Sequence, residues 1–190
     1  IKPVKNKKII SFCVYDIKKE IKDCNEGRKT RDFFKGIFLN YEEAKTIYPD
    51  WIVRVYIPYD EPSDCIEKLI LFKNIEVVIV DTNICLRTIR FLPNDDPDVD
   101  VWISRDTDSI VNMREKVAVE DWLRNYSDKK LHIMTDSSQH IWPIAGGMFG
   151  IRNNIGDKSS ILRFLLNDTK INTYTYAYDC DVALKFFYSD

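Results

Sequence analysis

The sequence predicts one α/β domain: a central mixed, mostly parallel sheet flanked by helices. Three observations carry that expectation. The chain has 190 residues, inside the ~100–200 of a single domain. Strand-like and helix-like stretches alternate through its first half, as parallel strands with crossover helices require. The strand-like stretches are near-continuous apolar runs, the pattern of strands covered on both faces.

Lys7 to Tyr15 (KKIISFCVY) reads as a buried first strand, with a charged start and an apolar body. Residues 16–32 are polar and without period, and read as a loop. Asn40-Tyr-Glu-Glu43 fits a capping box, with Asn40 as N-cap and Glu43 at N3. Tyr41, Ala44 and Ile47 then share a helical face, and Pro49 marks the end. Trp51 to Ile57 is a second strand, closed by Pro58. Ser63 or Asp64 caps a short helix with Ile66, Leu69 and Ile70 inward. Ile75 to Val80 is a third strand, β-branched apart from Glu76. Asp95, Asp96, Pro97 and Asp98 form an acidic turn. Val99 to Ser104 is a fourth strand and runs directly into Arg105-Asp-Thr-Asp-Ser109. A helix is expected from near Ser109, with Ile110, Met113 and Val117 inward and Ala118 and Trp122 extending that face. Leu131 to Met134 is a short strand, and Pro143 to Ile151 is apolar and Gly-rich. Lys158 to Asn167 and the tail after Asp179 read as helices.

Composition excludes several classes. Hydrophobic residues make up 45% and charged residues 31%, values of a globular chain. The net charge of −2 lacks the basic excess of a nucleic-acid binder. Apolar runs such as Val77 to Val80 and Ile161 to Leu166 fall far short of the ~20 residues of a membrane helix. No secretory signal pattern opens the sequence. Five scattered cysteines without a C-x-x-C suggest reduced thiols and a cytoplasmic location rather than a zinc or disulfide framework.

The acidic side is lopsided, with 21 Asp against 9 Glu. Asp favours turns, caps and hard-metal sites, so the excess directs attention to Asp-x-Asp pairs. About two such pairs arise by chance at this Asp content. The chain has four, at 96/98, 98/100, 106/108 and 179/181. Only Asp106 and Asp108 follow an apolar strand and precede an amphipathic helix. In an open α/β sheet, ligands bind outside the carboxyl ends of the strands. Two carboxylates there can hold a divalent cation, which holds phosphate oxygens in turn. The competing reading is that Asp108 caps the following helix.

The surrounding residues add a resemblance. Arg105-Asp-Thr-Asp-Ser109, Arg114-Glu115, Ala118-Val119 and Trp122-Leu123 are followed by His132-Ile-Met134, Asp136, His140 and Pro143-Ile144. Gly146-Gly147-Met148-Phe149-Gly150 closes the series, and Tyr48-Pro49, Trp51, Arg54-Val55-Tyr56 and Arg90-Phe91 precede it. Together they resemble GT-A type (Rossmann-like) nucleotide-sugar glycosyltransferases. The nearest likeness is to a compact group from large DNA viruses of algae and from polysaccharide synthesis. It covers roughly residues 8 to 188, and residues 102 to 151 are its specific core.

The resemblance implies that Asp106 and Asp108 bind Mn2+ or Mg2+ and, through it, the diphosphate of a UDP-sugar. It implies that Cys13, Val14 and Tyr15 line the nucleotide pocket, with Tyr15 against the uracil. Arg87, Arg90 and Arg105 become candidates for pyrophosphate or ribose, since arginine grips phosphate with paired donors. His132 and His140, the only two histidines, would flank the donor, and Asp136 would touch the sugar. Gly146 and Gly147 would let the backbone approach the donor closely. Asp181 would supply an acidic group near the active site; its plain reading is a helix N-cap. The tail departs from the group at Val182 and Ala183, where related chains carry Gln and a large apolar residue.

The expected function is therefore metal-dependent transfer of a sugar from a UDP-sugar to a glycan or glycoprotein hydroxyl. The group implies a role in viral capsid glycosylation in the host cytoplasm. The chain is short for such an enzyme, which implies a catalytic module with further domains of the same chain as partners. A metal-dependent phosphohydrolase or nuclease is one alternative, and a non-catalytic nucleotide-sugar-binding module is another.

Overall fold

A computed structural model describes residues 6–15, 30–61, 63–135, 141–153, 159–168 and 177–188. It is a single α/β domain, Rossmann-like, with a six-stranded mixed sheet between helices. The strands are β1 (Lys7–Cys13), β2 (Ile52–Pro58), β3 (Ile75–Val80), β4 (Val99–Arg105), β5 (Leu131–Ile133) and β6 (Met148–Arg152). Their order across the sheet is β3-β2-β1-β4-β6-β5. β3, β2, β1 and β4 run parallel. β6 runs antiparallel to both β4 and β5.

The helices are α1 (Thr30–Ile47), α2 (Ser63–Leu69), α3 (Leu86–Ile89), α4 (Met113–Asn125), α5 (Ile161–Asn167) and α6 (Tyr178–Phe187). The alternation of side chains along a strand divides them between two faces. Ile10, Phe12 and Val14 join Phe34 and Ile37 of α1 and Val119 and Trp122 of α4 on one face. Ile9 and Cys13 join Ile89, Trp102, Phe149, Leu165 of α5 and Val182 of α6 on the other. Fully burying each large apolar side chain is worth about 1.5–3 kcal/mol, so both layers hold the sheet firmly.

Three expectations need correction. α1 starts at Thr30, ten residues before the capping box. Phe33, Phe34 and Ile37 carry the inward face upstream of Tyr41 and Ala44, so Asn40 is an interior position and fully buried. α4 starts at Met113, with Asn112 as its N-cap accepting from the Glu115 N–H at 3.1 Å. Its inward face is Glu115, Val119 and Trp122, whereas Ile110, Met113 and Val117 are exposed. Met113 and Val117 fall on the side of α4 opposite the Glu115, Val119 and Trp122 stripe, and Ile110 lies in the preceding loop. Of the three residues expected inward from α2, only Leu69 is buried; Ile66 is half-buried, Ile70 is exposed, and Cys65 takes the second buried position.

The acidic turn at 95–98 is structural. Asp95 accepts the N–H groups of Ile161 at 2.8 Å and Leu162 at 3.0 Å, so it caps α5 from a distant loop. Asp96 binds Arg54 Nη2 at 2.7 Å, and Arg54 Nε donates to Glu76 at 2.7 Å. Three of the seven carboxylates between Asp95 and Glu115 are thereby assigned to the scaffold once Glu115 itself is counted.

Candidate functional site

The strand order fixes where a ligand crevice belongs. From β1 the chain moves one way to β2 and β3, and β4 then lies on the opposite side of β1. The switch point is between β1 and β4, and ligands of open α/β sheets bind outside the carboxyl ends there. β1 ends at Cys13, followed by Val14 and Tyr15; β4 ends at Arg105, followed by Asp106.

Asp106 sits at this mouth with a side chain 40% exposed. Its Oδ1 is ion-paired with Nη1 of Arg90, just beyond α3. Arg90 is 2% exposed. Nη1 also donates to the Arg105 carbonyl at 3.2 Å, and Nη2 donates to Asp179 Oδ2 at 2.6 Å. Asp179 lies in the first turn of α6 and faces Arg87 Nη1 at 3.7 Å. Arg87, Asp179, Arg90 and Asp106 thus form one chain of alternating charge. Burial opposes the charge on Arg90, but Asp106 and Asp179 outweigh it and hold the guanidinium protonated.

Gly146 and Gly147 close this cluster from the β6 side. A Cβ on Gly146 would strike the Asp179 carboxylate and lie 3.0 Å from Arg90 Nη2. A Cβ on Gly147 would strike the Asp106 carboxylate. Ser104 Oγ donates to the Gly146 carbonyl at 2.6 Å, and the Gly146 N–H donates to Cys180 Sγ at 3.3 Å. Burial pushes the Cys180 thiol up to about 11, so it is a packing group rather than a thiolate nucleophile.

The loop from Asp106 to Asn112 is pinned to α1. Asn40 Nδ2 donates to the Thr107 carbonyl at 3.3 Å, and its Oδ1 accepts the Val111 N–H at 2.9 Å. One turn earlier, Gly36 lies so close to the Thr107 carbonyl that a Cβ would collide with it. Asp106 is therefore held inward, while Asp108 at the turn is exposed.

The expected site residues divide. Tyr15, Arg87, Arg90, Asp106, Gly146 and Gly147 come together; Tyr15 is electrostatically coupled to Arg90, Asp106 and Asp179. Burial raises the Tyr15 phenol well above its usual range, so it is a neutral hydroxyl, with its ring 4.7 Å from that of Phe33. Cys13 and Val14 are at the crevice in backbone only; their side chains are buried in opposite core layers.

Arg105 does not face the crevice. Its Nε donates to Glu115 at 2.7 Å, and its Nη1 donates to the Ser104 and Phe149 carbonyls at 2.6 and 3.2 Å. As a β4 residue one step before Asp106, it points to the α4 face, where it is a buried structural ion pair. His132 is also elsewhere. It lies in the edge strand β5, stacked on Trp122 with ring centroids 5.2 Å apart. Burial, then Arg105, lowers its pKa to about 4, so the ring is neutral. Asp181 is exposed on α6, and its neighbour Asp179 holds the buried position. Asp136 and His140 lie outside the described residues.

Sequence reasoning missed Asp179, Asn40 and Gly36. For Asp179 a signal existed: it is three and four residues before Val182 and Ala183, which α6 turns inward. Two other hollows are remote from the carboxylates. One, of about 400 Å3, is lined by Tyr41, Lys45, Tyr48, Trp51 and Lys73 near the amino ends of β2 and β3. The other, of about 300 Å3, lies beside His132 and Trp122.

The donor set can be tested against a divalent cation. Among the described residues, no three His, Cys, Asp or Glu side chains converge as a metal cage. Asp106 has one oxygen on Arg90, and Asp108 is exposed. That set fits a hard cation held by one or two carboxylates, several waters and substrate phosphates. No helix among the described residues is long and apolar enough to cross a membrane.

The fold defines the class as a Rossmann-like α/β domain, with the candidate site at the β1/β4 switch point. No family model matches the chain. No curated protein matches it either. Among solved structures it is similar to 4-diphosphocytidyl-2C-methyl-D-erythritol synthase from Anaerococcus prevotii. The TM-score is 0.54 at 15% identity, covering 99% of this chain and 86% of that one. At that identity the likeness establishes a shared fold.

Proposed function

We propose that the chain is a metal-dependent glycosyltransferase that moves a sugar from a UDP-sugar to a hydroxyl of a glycan or glycoprotein. One observation carries the reading. A strand-end carboxylate, Asp106, stands at the switch point with two buried arginines behind it and two side-chain-free glycines beside it. The resemblance around residues 102 to 151 supports the choice of a UDP-sugar. It also supports the proposals of a capsid glycoprotein acceptor, further domains of the same chain and a cytoplasmic setting.

Asp106 and Asp108 would hold Mn2+ or Mg2+, which neutralises charge on the departing diphosphate. Arg87 and Arg90, both held by Asp179, stabilise the same charge from the protein side. Gly146 and Gly147 admit the donor against the backbone. The acceptor oxygen bonds to the anomeric carbon while the bond from that carbon to the diphosphate oxygen breaks. UDP leaves with the electron pair, and the acceptor proton passes to a base. Asp136 and Asp181 keep their proposed roles near the sugar and acceptor.

A second reading is nucleotidyl transfer, favoured by the similar solved structure, whose name denotes synthesis of a diphosphocytidyl compound. The products separate the two. Glycosyl transfer releases UDP from a UDP-sugar, whereas nucleotidyl transfer releases pyrophosphate from a nucleoside triphosphate. UDP release in the presence of Mn2+ and acceptor glycans is expected; pyrophosphate release alone would select the second reading. Asp108→Ala should abolish metal-dependent UDP binding with the fold intact, and wild-type affinity in that variant would sink the metal assignment.

A further inference from the structure

We propose that Arg90 is a counter-ion that changes partners: it neutralises Asp106 before ligands arrive and turns to the donor phosphates when a divalent cation takes Asp106. This deepens the donor reading above and rests on it.

The two carboxylates bound by Arg90 are unequal. The Asp106 side chain is 40% exposed, and that of Asp179 is 10% exposed. A cation from solvent therefore reaches Asp106 and not Asp179. Asp179 serves as the anchor. It holds Arg90 through Nη2, so the planar guanidinium pivots on that bond when Asp106 is released and gives up the longer Nη1 bond to the Arg105 carbonyl. The Asp106 carboxylate packs directly against Gly147, where a Cβ would overlap it, so Asp106 keeps its place only while position 147 carries no side chain. The fork itself is incompletely satisfied, since the buried Arg90 Nε has no hydrogen-bond partner among the described residues. Arg90 is thus tied to its present pose by fewer bonds than its five donors allow.

Charge fixes the consequence. Arg87 and Arg90 balance Asp106 and Asp179. A divalent cation alone adds two positive charges to this poorly hydrated cluster and leaves Arg90 without its partner. A diphosphate alone meets Asp106 as a like charge. Bound together, the cation satisfies Asp106 and the phosphates satisfy Arg90. Each ligand therefore raises the affinity of the other, by the same factor in both directions.

Calorimetry with Mn2+ alone, UDP alone, and each in the presence of the other tests this. In the wild type we expect coupling of about 10- to 100-fold, equal in both directions. In Arg90→Gln, Mn2+ alone should bind about 10-fold tighter, and UDP with saturating Mn2+ about 10-fold weaker. An Arg90 that remains a fixed bridge gives the opposite sign: Arg90→Gln loosens Mn2+, because Asp106 loses its support, and that result overturns the proposal. If Arg90→Gln fails to fold, the wild-type arginine side-chain 15N spectrum decides. The Arg90 Nε–H signal should move with Mg2+ plus UDP, and a signal that stays in place overturns the proposal. Independent binding of UDP and metal overturns the partner exchange and leaves the donor reading standing. Absence of UDP binding overturns both.

Discussion

Asn40→Ala tests how the Asp106 loop is held. Asn40 is fully buried inside α1. Its Oδ1 accepts the Val111 N–H at 2.9 Å, and its Nδ2 donates to the Thr107 carbonyl at 3.3 Å. It also donates to the Gly36 carbonyl at 3.0 Å, a group inside α1 that keeps its helical bond. The variant therefore orphans one N–H and one carbonyl, both in buried residues. An unpaired buried group costs about 1–3 kcal/mol, and the longer Thr107 bond belongs at the low end, which gives about 2–4 kcal/mol. For a domain of this size that lowers Tm by roughly 5–15 °C. Urea unfolding with a matched thermal melt measures it. Well below its Tm, the variant should also bind UDP and Mn2+ more weakly, because Asp106 and Asp108 ride on the released loop. A stability change under about 0.5 kcal/mol, the size of an ordinary surface substitution, would refute the pinning.

Three other outcomes follow from the same geometry. Gly147→Ala puts a methyl into the Asp106 carboxylate; UDP affinity with Mn2+ should fall about 10- to 100-fold with far-UV circular dichroism unchanged, and unchanged affinity would remove Gly147 from the site. Arg105→Met leaves the buried Glu115 without its charged partner, with only the 3.3 Å bond from the Tyr48 hydroxyl remaining on its Oε1, and should cost about 3–5 kcal/mol of stability. A stable Arg105→Met that binds UDP poorly would return Arg105 to the phosphate. The depressed His132 pKa, about 4 in the folded chain against 6.5 for the free group, means that the unfolded state takes up this proton first. Stability should fall as pH drops from about 6.5 to about 4 and level off below, for the His132 contribution. The difference between wild type and His132→Gln in pH-dependent unfolding isolates it; parallel curves would show that His132 is not desolvated.

Much of the fold was legible because strands buried on both faces leave apolar runs that need no partner to identify them. The parallel half, β1 to β4, came from such runs and the helices between them, although the edge strand β3 proved only partly covered, with Ile79 exposed. α1 and α4 were harder. Their capping signals compete with apolar periodicity, and Asn40 reads as a cap although tertiary contacts with Thr107 and Val111 hold it inside a helix. In the site, Asp106 was legible because strand, turn and helix are local. Asp179 was not chosen over Asp181, because which Asp of a pair faces inward depends on where α6 packs. Arg87, Arg90 and Arg105 look alike in sequence. Only strand alternation, which sends Arg105 to Glu115 and leaves the crevice to the other two, separates them.

The most direct measurement is a crystal structure with UDP and Mn2+, read with an anomalous manganese map. The expected result is a manganese peak against Asp106 and Asp108, with the diphosphate lying along Gly146 and Gly147 and one phosphate oxygen on Arg90. Nucleotide in the cavity beside Tyr41 and Trp51, or manganese remote from Asp106 under saturating conditions, would contradict the β1/β4 crevice as the donor site.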